Sequence, residues 1–495
     1  MMIKSNGLTF LLLLITFFVQ SQDCGCNIQQ VEKNTVESCN LIVGEVDTVY
    51  TVVDLWAAIR FANNNGGNRT ILIADGIYPV ASTSSYPYIT ASNIVFRSLS
   101  GNRDAVVLTG QGMESVAPAV EIGIFAVGDN ISIADLTIRG VGNHGIAASG
   151  NNLYVHNVKI QDTYEQMIKG VSANNGADSA RVQCSLFEYT SGIGPQWYIG
   201  GLDIHDGDNW VVNDNVFKNI ASPSQSLAEH AIHFWNSSSN NIIERNRIVN
   251  CDRGIGFGLG SSRNDGGIIR NNMIYNDGSH PFDDVGVGLE TSPGTKVYNN
   301  TIQIEHQNAI EYRFEETVDV EIANNLTNKL IRSRNGGQAN LQSNFTNGDL
   351  TWYTDPINGH LHLNEMIDEV VNQGVHLSTD VMQDIDQKAR PIDGQYDIGA
   401  HELGEIVSSL QKEVIAGLTA FPNPGTDVLT VRADSPENFA LQVNSSEGKL
   451  LQSFNSVNLK SGFELNLQEW NSGIYFIKII NTDFTDVLQK VLVLK

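Results

Sequence analysis

The chain has 495 residues, of which 41% are hydrophobic and 45 are glycine, and its formal net charge is −25 at pH 7. This length is too great for one compact core but is usual for a repetitive fold with a small additional domain. The acidic balance excludes nucleic acid as a partner, because phosphates require a basic surface. It also restricts an anionic ligand to a place where basic side chains are concentrated.

The first 21 residues have the pattern of a secretory signal peptide. Lys4 supplies the positive charge, residues 8–19 form a short apolar run, and Val19-Gln20-Ser21 is an acceptable cleavage site. The apolar run is too short to span a bilayer, and no other segment predicts a transmembrane helix. We therefore expect an exported mature protein that begins near Gln22.

Five cysteines follow, an odd number that leaves at least one unpaired in a monomer, which is the state we expect. Cys39 could pair with either Cys24 or Cys26. A pair between Cys184 and Cys251 is not favoured, because these residues fall in different repeats. No cysteine pair has a zinc-binding spacing with histidine.

Residues 49–64 carry apolar residues at helical spacing, and the strand-like sequence TILIADGIY follows at 70–78. A short amphipathic helix in this place would cap the N-terminal end of a stack of strands. Such an end exposes unpaired strand edges and needs cover.

Seven segments share a pattern in which apolar, variable and polar residues precede one aligned position, and apolar residues follow it. The aligned positions are Asn157, Ser185, Asn215, Asn246, Asn272, Asn300 and Asn325, and Asp135 extends the column upstream. A near-constant period of this length predicts one supersecondary unit stacked repeatedly. Stacked Asn side chains at a tight turn would hydrogen-bond the copies above and below. We therefore predict an all-β right-handed parallel β-helix, with coils from about residue 90 to about residue 345.

Each repeat has a second strand with alternating inward and outward side chains, as in GLDIHDG and HAIHFWN. The alignment predicts two outward columns. The first holds Asp203, His233, Gly256, Gly288 and Glu311, and the second holds His205, Trp235, Gly258, Glu290 and Arg313, with Lys169 placed beside His205. Glycine weakens an exposed strand, so close approach of a ligand could explain Gly256 and Gly258.

The outward residues form a candidate functional strip. Lys169, His205 and His233 would lie on three consecutive strands, within reach of one sugar. Arg253 would be one strand further, and Trp235 would offer a platform on which a sugar ring can stack. Arg313 would lie about four strands from Lys169, or roughly 19 Å, and so in another subsite.

Three aspartates in the run DIHDGDN have a spacing suggestive of Ca²⁺ ligation. They are Asp203, Asp206 and Asp208. The run lacks the 12-residue EF-hand pattern, and an ordinary Asp-rich turn would have the same composition. A bound Ca²⁺ therefore stays an expectation.

After the repeats, residues 346–389 contain helix-like stretches such as NEMIDEVVNQGV, which we expect to pack on the C-terminal end of the β-helix. A linker is predicted over residues 405–416. Residues 417–495 contain the sequences FPNP at 421–424, EGK at 447–449 and SGIY at 472–475. In combination these resemble the C-terminal sorting domain of the type IX secretion system of Bacteroidetes. The resemblance implies a small β-sandwich, recognition by that secretion machinery, and a secreted or cell-surface location. The alternative is a carbohydrate-binding β-sandwich.

We predict a β-helix domain over residues 22–404, of which about residues 45–404 resemble the pectate-lyase-like β-helix superfamily, which includes the chondroitinase B and alginate lyase group. The resemblance implies a secreted polysaccharide lyase that binds an acidic, uronate-containing polysaccharide in a groove on one sheet and cleaves it by β-elimination. It makes Lys169 and His205 base candidates, His233 an acid or second base, and Arg253 and Arg313 carboxylate binders. Trp235, Glu290 and Glu311 are then substrate-binding candidates.

Two other classes stay open. A β-helix glycoside hydrolase would use paired carboxylates, for which Asp203, Glu290 and Glu311 are the candidates, although the polygalacturonase patterns NTD, DD, GHG and RIK are absent. A non-catalytic glycan-binding or adhesin solenoid would need exposed aromatic residues rather than a cluster of Lys, His and Arg.

Overall fold

A computed structural model of the chain describes residues 24–80, 86–114, 122–171, 177–377, 379–392, 394–403, 419–434, 438–445, 449–480 and 487–493. The chain divides into two compact units, Met1–Leu403 and Gly404–Lys495. The predicted signal peptide and the predicted linker lie outside the described residues. None of the helices in the described ranges is long and apolar enough to cross a membrane.

The first unit is a parallel β-helix, which confirms the predicted fold. Each coil contributes one strand to each of three parallel sheets, so a coil has three strands rather than the two that the sequence pattern suggested. In the described part of the chain, sheet 1 has twelve strands. They are Glu45–Val49, Arg69–Ile73, Ile94–Ser98, Ile131–Ala134, Tyr154–His156, Arg181–Gln183, Val211–Asn213, Ile242–Glu244, Ile268–Arg270, Lys296–Tyr298, Val320–Ala323 and Ala339–Gln342.

Sheets 2 and 3 have ten strands each within the described ranges. Those of sheet 2 are Gly76–Pro79, Val106–Thr109, Thr137–Val141, Lys159–Thr163, Leu186–Glu188, Val216–Lys218, Arg247–Val249, Met273–Tyr275, Thr301–Gln303 and Leu326–Thr327. Those of sheet 3 are Tyr88–Ile89, Ile124–Ala126, Ile146–Ala148, Ile168–Val171, Leu202–His205, His230–Trp235, Arg253–Phe257, Val287–Glu290, Asn308–Arg313 and Leu330–Arg334. Short strands Ser238–Ser239 and Asn264–Asp265 pair beside the coils.

A continuous apolar core runs along the inside of the three sheets. It includes the two inward columns predicted for sheet 3, for example Leu202 and Ile232 in one and Ile204 and Phe234 in the other, all fully buried. Because successive strand residues point to opposite faces, these inward columns fix the residues between them on the outer face of sheet 3.

The asparagine ladder lies at the turn between sheets 1 and 2. Asn215, Asn246, Asn272 and Asn300 each donate from Nδ2 to Oδ1 of the next member of the ladder at 2.9–3.0 Å, and Asn325 donates to Asn344 at 2.9 Å. The ladder residues of the middle coils are fully buried. The predicted stacking of Asn215 to Asn325 is confirmed, with one further member.

The upstream part of the predicted column is shifted by one residue. His156 pairs with Gln183, so Asn157 lies opposite Cys184 and not opposite Ser185. Asn157 and Asp135 occupy the preceding turn position, where both have a left-handed φ, 50° and 56° respectively. Asn and Asp tolerate that conformation best among non-glycine residues, which explains why they occur there.

Helix α2, Val52–Asn64, caps the N-terminal end of the β-helix as predicted. It begins with a capping box between Thr51 and Asp54. Leu55 and Ile59 are buried and join the core of the first coils. The helix therefore covers the apolar end of the stack.

A short N-terminal segment crosses the outer face of sheet 2. Its helix α1, Ile28–Lys33, packs Ile28 and Val31 against Leu186 and Val216. Cys24 pairs with Cys39, which is one of the two pairings that the sequence left open. Cys26 pairs with Cys184, 158 residues away, and Cys251 is buried and free. The second disulfide was not predicted, because only the packing of this segment brings the two thiols together.

Residues 346–389 contain the short 3-10 helices Leu350–Trp352 and Pro356–Asn358, but the prediction of a helix at NEMIDEVVNQGV and of packing on the C-terminal end is wrong. The segment contains the antiparallel strands Tyr353–Asp355 and His360–Leu363, and NEMIDEVVNQGV forms turns. It runs back along the outside of sheets 1 and 2, where Leu361, Ile367 and Val370 contact the buried side chains of several coils. The sequence does contain apolar residues at a helical spacing, but they are buried against an extended sheet face instead.

The second unit contains two antiparallel sheets. One holds Thr419–Phe421, Val428–Arg432 and Phe463–Asn466, and the other holds Asn438–Ser445, Leu450–Asn458, Gly473–Ile480 and Val487–Val493. Alternating apolar residues such as Leu429, Leu441 and Ile477 form a shared core. The predicted small β-sandwich is therefore confirmed as a fold.

Candidate functional site

The candidate site lies on the outer face of sheet 3. The register pairs Asp203 with His233, His205 with Trp235, and Glu290 with Arg313, as the sequence predicted. Lys169 is a correction, because it lies opposite Asp203 in the first outward column and Val171 lies opposite His205. The inward column continues through Gly170, whose missing side chain leaves room for Ile204 and Trp210. A glycine at a core position hid the register in the sequence.

Lys169, Asp203 and His205 nevertheless form one hydrogen-bonded cluster, because Lys169 can reach both neighbours. Its ammonium contacts Asp203 Oδ2, and its Nζ lies 2.9 Å from His205 Nε2. His205 Nε2 is also 3.5 Å from Asp203 Oδ1. The side chains of Lys169 and His205 are 11% and 21% exposed, so solvent reaches the two basic groups while Asp203 lies beneath them.

Asp203 is a buried but strongly anionic carboxylate. Burial alone would raise its pKa, but the hydrogen bond with His205 and the charge of Lys169 hold the pKa well below its usual range. Trp235 Nε1 donates to its Oδ1 at 2.8 Å. A fixed negative charge under the basic groups can stabilise any proton that they gain.

The rings of Trp235 and His233 lie against this cluster. The ring of Trp235 is partly exposed and makes an edge contact with His205, with centroids 4.3 Å apart. It stacks on His233 at 5.6 Å. His233 is on the outward side, as predicted, but it is completely covered. It therefore supports Trp235 and Asp203 from below and does not reach a substrate directly, which corrects its expected role as an acid or second base.

Several titratable neighbours were not predicted. Glu229 precedes the strand of His233 and His230 begins it, and the E-H-x-x-H spacing of residues 229–233 is a signal that could have revealed them. His144 Nε2 lies 3.8 Å from Glu165 Oε2 on the other side of Lys169. Burial, and then the charge of Lys169, lowers the pKa of His144 to about 4. These residues come from loops and strand ends, where the alternating pattern gives no information.

Tyr198 is a further unpredicted residue close to the cluster. Burial raises its pKa, and the carboxylates of Asp203, Glu165 and Glu229 raise it further. It lies in a loop before the strand Leu202–His205 and is 37% exposed, beside Trp197, which is 40% exposed. The loop places aromatic surface next to the basic groups.

The glycines in the middle of the strip have structural reasons that do not involve a ligand. A Cβ atom on Gly256 would meet the ring of His230 at 2.6–2.7 Å, so the imidazole already fills the open space. Gly258 has a left-handed φ of 77°. The prediction that these glycines admit a ligand is therefore not needed to explain them.

The far end of the strip is a second, separate charged cluster. Arg313 contacts Glu290 at 2.6 Å, while the buried Glu311 contacts Asn308 and Arg334. Five strand spacings, rather than four, separate Lys169 from Arg313, which corresponds to about 24 Å.

Arg253 lies between these clusters. It begins the glycine-containing strand, as predicted, and contacts Asp284 at 3.2 Å.

The three aspartates proposed as Ca²⁺ ligands are not brought together. Asp203 is held by Lys169 and Trp235, and Asp208 accepts a hydrogen bond from Ser239 at 2.7 Å. Within the described residues, the groups of three side chains close enough to share an ion are Glu229, His230 and His233, and Asp384, Asp386 and His401. Neither is the oxygen-rich set that Ca²⁺ prefers, so we assign no step to calcium.

The second unit matches a known family. Residues 419–494 match the family described as "Secretion system C-terminal sorting domain". This match indicates export to the cell surface or the outside through the type IX secretion system. No curated protein matches the chain at a significant level.

Among solved structures, the chain is similar to the pectate lyase Pel9A, with 15% identity and a TM-score of 0.49 over 73% of this chain and 97% of that one. It is similar to an alginate lyase from Paenibacillus sp. str. FPU-7, with 16% identity and a TM-score of 0.37 over 60% and 97%. It is also similar to an endo-xylogalacturonan hydrolase from Aspergillus tubingensis, with 11% identity and a TM-score of 0.30 over 62% and 96%. Similarity at this level assigns neither substrate nor reaction to this chain.

Proposed function

We propose that the protein is an exported enzyme that cleaves an acidic polysaccharide by β-elimination at the cluster of Lys169, Asp203 and His205. The observation that carries the proposal is the hydrogen bond between Lys169 and His205 above a buried carboxylate. It places a base and a positive charge side by side on a long sheet face. The partly exposed Trp235 and Tyr198 beside them suit a sugar ring.

In β-elimination on a uronate, a base removes the proton from C5, the bond between C4 and the linking oxygen breaks, and a double bond forms between C4 and C5. The departing oxygen takes up a proton. Lys169 Nζ and His205 Nε2 share one hydrogen bond, so one nitrogen donates and the other accepts. The accepting nitrogen has the lone pair that can remove the C5 proton, and the Asp203 carboxylate stabilises the proton once it is transferred.

The remaining positive groups suit the carboxylates of the substrate. Within the cluster, the nitrogen of the Lys169–His205 pair that donates the hydrogen bond carries a positive charge. This charge would neutralise the carboxylate of the uronate at which the chain is cleaved. Arg253, one strand beyond His233, and Arg313, in the far cluster, would bind neighbouring uronates. A chain that lies across the strands would meet these groups in order.

A hydrolase would need two carboxylic groups beside the bond that is cleaved. Glu311 is 2% exposed, beneath Asn308 and Arg334, and Glu290 is held by Arg313 and by the backbone N–H of Gly260. Asp203 is covered by Lys169. These contacts favour the elimination over the hydrolysis.

The test is ultraviolet absorbance of the unsaturated uronate products on a panel of pectate, alginate, ulvan and glycosaminoglycans. We expect absorbance with at least one of them. Lys169→Ala and His205→Ala should each reduce turnover about 100-fold or more, since loss of a general base typically has that effect. Lys159→Ala is a matched control, because Lys159 is also an ion-paired strand lysine but lies on sheet 2.

Glu290→Gln and Glu311→Gln separate the two reactions. If these two variants abolish cleavage, the Lys169 and His205 variants retain it, and new reducing ends appear without the unsaturated product, the enzyme is a hydrolase and the proposal is wrong. If no acidic polysaccharide is cut or bound, the solenoid has another role.

A further inference from the structure

Glu229, His230 and His233 form a compact group next to the cluster, and the reaction proposed above does not use them as ligands. One potential ligand atom from each lies within 4.8 Å of those of the other two. We propose that these three side chains bind one divalent transition-metal ion, with Zn²⁺ as the expected ion.

The first observation is that three ligand-type atoms are buried without a well-formed hydrogen bond, although two of them are close enough to form an ion pair when the imidazole is protonated. They are Glu229 Oε2, His230 Nδ1 and His233 Nδ1. A buried polar atom without a partner costs about 1–3 kcal/mol, and proteins seldom leave one unexplained. Here all three belong to the same group, and one cation would satisfy all of them.

The hydrogen bond of His233 fixes which of its nitrogens is available. His233 Nε2 lies 3.1 Å from the carbonyl oxygen of Gly258, which can only accept, so Nε2 carries the hydrogen. A neutral His233 then has its lone pair on Nδ1. In metal-binding histidines, the ring N–H that does not face the metal commonly donates to a backbone carbonyl, which fixes the orientation of the ring.

The other ring nitrogen of His233, Nδ1, faces the carboxylate of Glu229. His233 Nδ1 and Glu229 Oε2 are 3.3 Å apart. Two acceptors at that distance repel each other unless a proton or a cation lies between them. Ligand atoms at about 2.0–2.1 Å from a tetrahedral zinc ion are themselves about 3.3 Å apart. The separation therefore fits a shared metal ion.

His230 supplies the third donor. Its ring centroid is 4.5 Å from that of His233. Its Nδ1 is buried without a hydrogen-bond partner, and a neutral imidazole has a lone pair available for a metal ion. Two imidazoles and one carboxylate suit Zn²⁺ and related transition metals, whereas Ca²⁺ prefers oxygen ligands. Such a set leaves a coordination position open.

The other candidate group, Asp384, Asp386 and His401, does not show this pattern. His401 Nδ1 accepts from the backbone N–H of Leu363 at 3.2 Å. Asp384 accepts from backbone N–H groups, and Asp386 contacts His362 at 3.1 Å. These atoms already have partners, so His401 serves as a matched buried histidine for the experiment.

The location gives the ion a use in the proposed reaction. His233 Nδ1 lies 3.9 Å from Asp203 Oδ1, so the ion would lie beside the cluster. Glu229 is 21% exposed, which opens the group to the outer face of sheet 3. A substrate carboxylate could take the open position, and this use alone rests on the proposed function.

The experiment measures metal binding without substrate. The chain is treated with a chelator, incubated with Zn²⁺ and separated from free ions, and bound metal is measured by mass spectrometry. We expect about one zinc ion per chain, and at least tenfold weaker binding in Glu229→Gln and in His230→Gln. His401→Gln should bind as the unchanged protein does. X-ray absorption of the zinc-loaded unchanged protein should show two imidazoles and needs no variant to fold.

Circular dichroism of the chelated variants checks that their fold is intact. The proposal is overturned if the unchanged protein retains no zinc, or if both variants retain as much zinc as the unchanged protein does. It is also overturned if X-ray absorption shows no imidazole ligands. The first of these results would identify Glu229 and His233 as a simple ion pair with a protonated imidazole. Because the experiment contains no substrate, its result does not depend on whether the proposed lyase reaction is correct.

Discussion

The side chain of Asn272 makes five hydrogen-bond contacts in the middle of the asparagine ladder, and one of its two Nδ2 hydrogens is shared between two acceptors. Its Nδ2 donates to Asn300 and to the carbonyl oxygens of Ile243 and Arg270, and its Oδ1 accepts from the backbone and side chain of Asn246. Asn272→Leu should therefore leave several buried groups without partners and lower the free energy of unfolding by about 3 kcal/mol. The measurement is the midpoint of urea unfolding.

Asn340→Leu is the matched control, because Asn340 lies exposed on the last strand of sheet 1. We expect a change within about 0.5 kcal/mol there. An equal midpoint for the two variants would contradict a stabilising role of the ladder.

Arg313 is one quarter exposed and lies five strands from Lys169. A side chain at that distance cannot contact the bond that is cleaved, so it can contribute only to binding. Arg313→Ala should raise KM about fivefold, or about 1 kcal/mol, and leave kcat unchanged. Arg263→Ala is the control, since Arg263 is also paired with a carboxylate but lies off sheet 3. A fall in kcat for Arg313→Ala with KM unchanged would place it in the reaction itself.

The positions of single side chains were predicted best where apolar and polar residues alternate regularly along a strand. His205 and Trp235 were placed correctly because alternation along a strand is fixed by geometry. Lys169 was misplaced by one position because Gly170 occupies an inward place without an apolar side chain. Glu229 was missed because it precedes its strand, where no period applies. Burial of His233 depends on what covers it, which alternation does not reveal.

Helix α1 is fixed to sheet 2 by one carboxylate. Glu32 contacts Lys218 at 2.8 Å, His360 at 3.4 Å, and also Arg247. Burial alone would raise its pKa, but the hydrogen bond with His360 and the charges of Arg247 and Lys218 lower it to about 2. A lowered pKa in the folded state means that the stabilisation is fully present above about pH 4.5 and is lost as the pH falls toward 2.

Glu32→Gln should therefore destabilise the protein at pH 7 by about 2 kcal/mol, a figure that allows for solvent screening of this partly exposed group. The difference from the unchanged protein should shrink as the pH falls from about 4.5 to 2. Urea unfolding at a series of pH values measures it. A difference that does not vary over that interval would show that the charge of Glu32 is not what holds α1.

At the scale of elements, repeats were predictable and single segments were not. The ladder residues from Asn215 to Asn325 identified their coils because every coil repeats the same turn. Helix α2 was found because the helical spacing of its apolar residues is a local signal. The segment of residues 346–389 has a helical spacing of apolar residues, but contacts with distant coils decide its structure. The disulfide between Cys26 and Cys184 depends on the same kind of long-range packing.

The whole molecule joins two units with independent cores. The β-helix core consists of residues from the first unit, and the core around Leu441 and Ile477 consists of residues from the second. A unit with its own apolar core can fold by itself. The candidate site on sheet 3 and the sorting domain are therefore separable parts of this chain.

Removal of residues 417–495 should consequently leave a folded protein with full activity that is no longer exported. The β-helix keeps its disulfides, its N-terminal cap and every residue of sheet 3, so kcat and KM should match those of the intact chain. In cells with a type IX system, the truncated protein should accumulate in the periplasm, because only the matched sorting domain is missing. Cell fractionation and immunodetection give the location, and a fusion of residues 404–495 to a periplasmic reporter is the positive control. Export of the truncated chain, or retention of the reporter fusion, would show that the sorting information lies elsewhere.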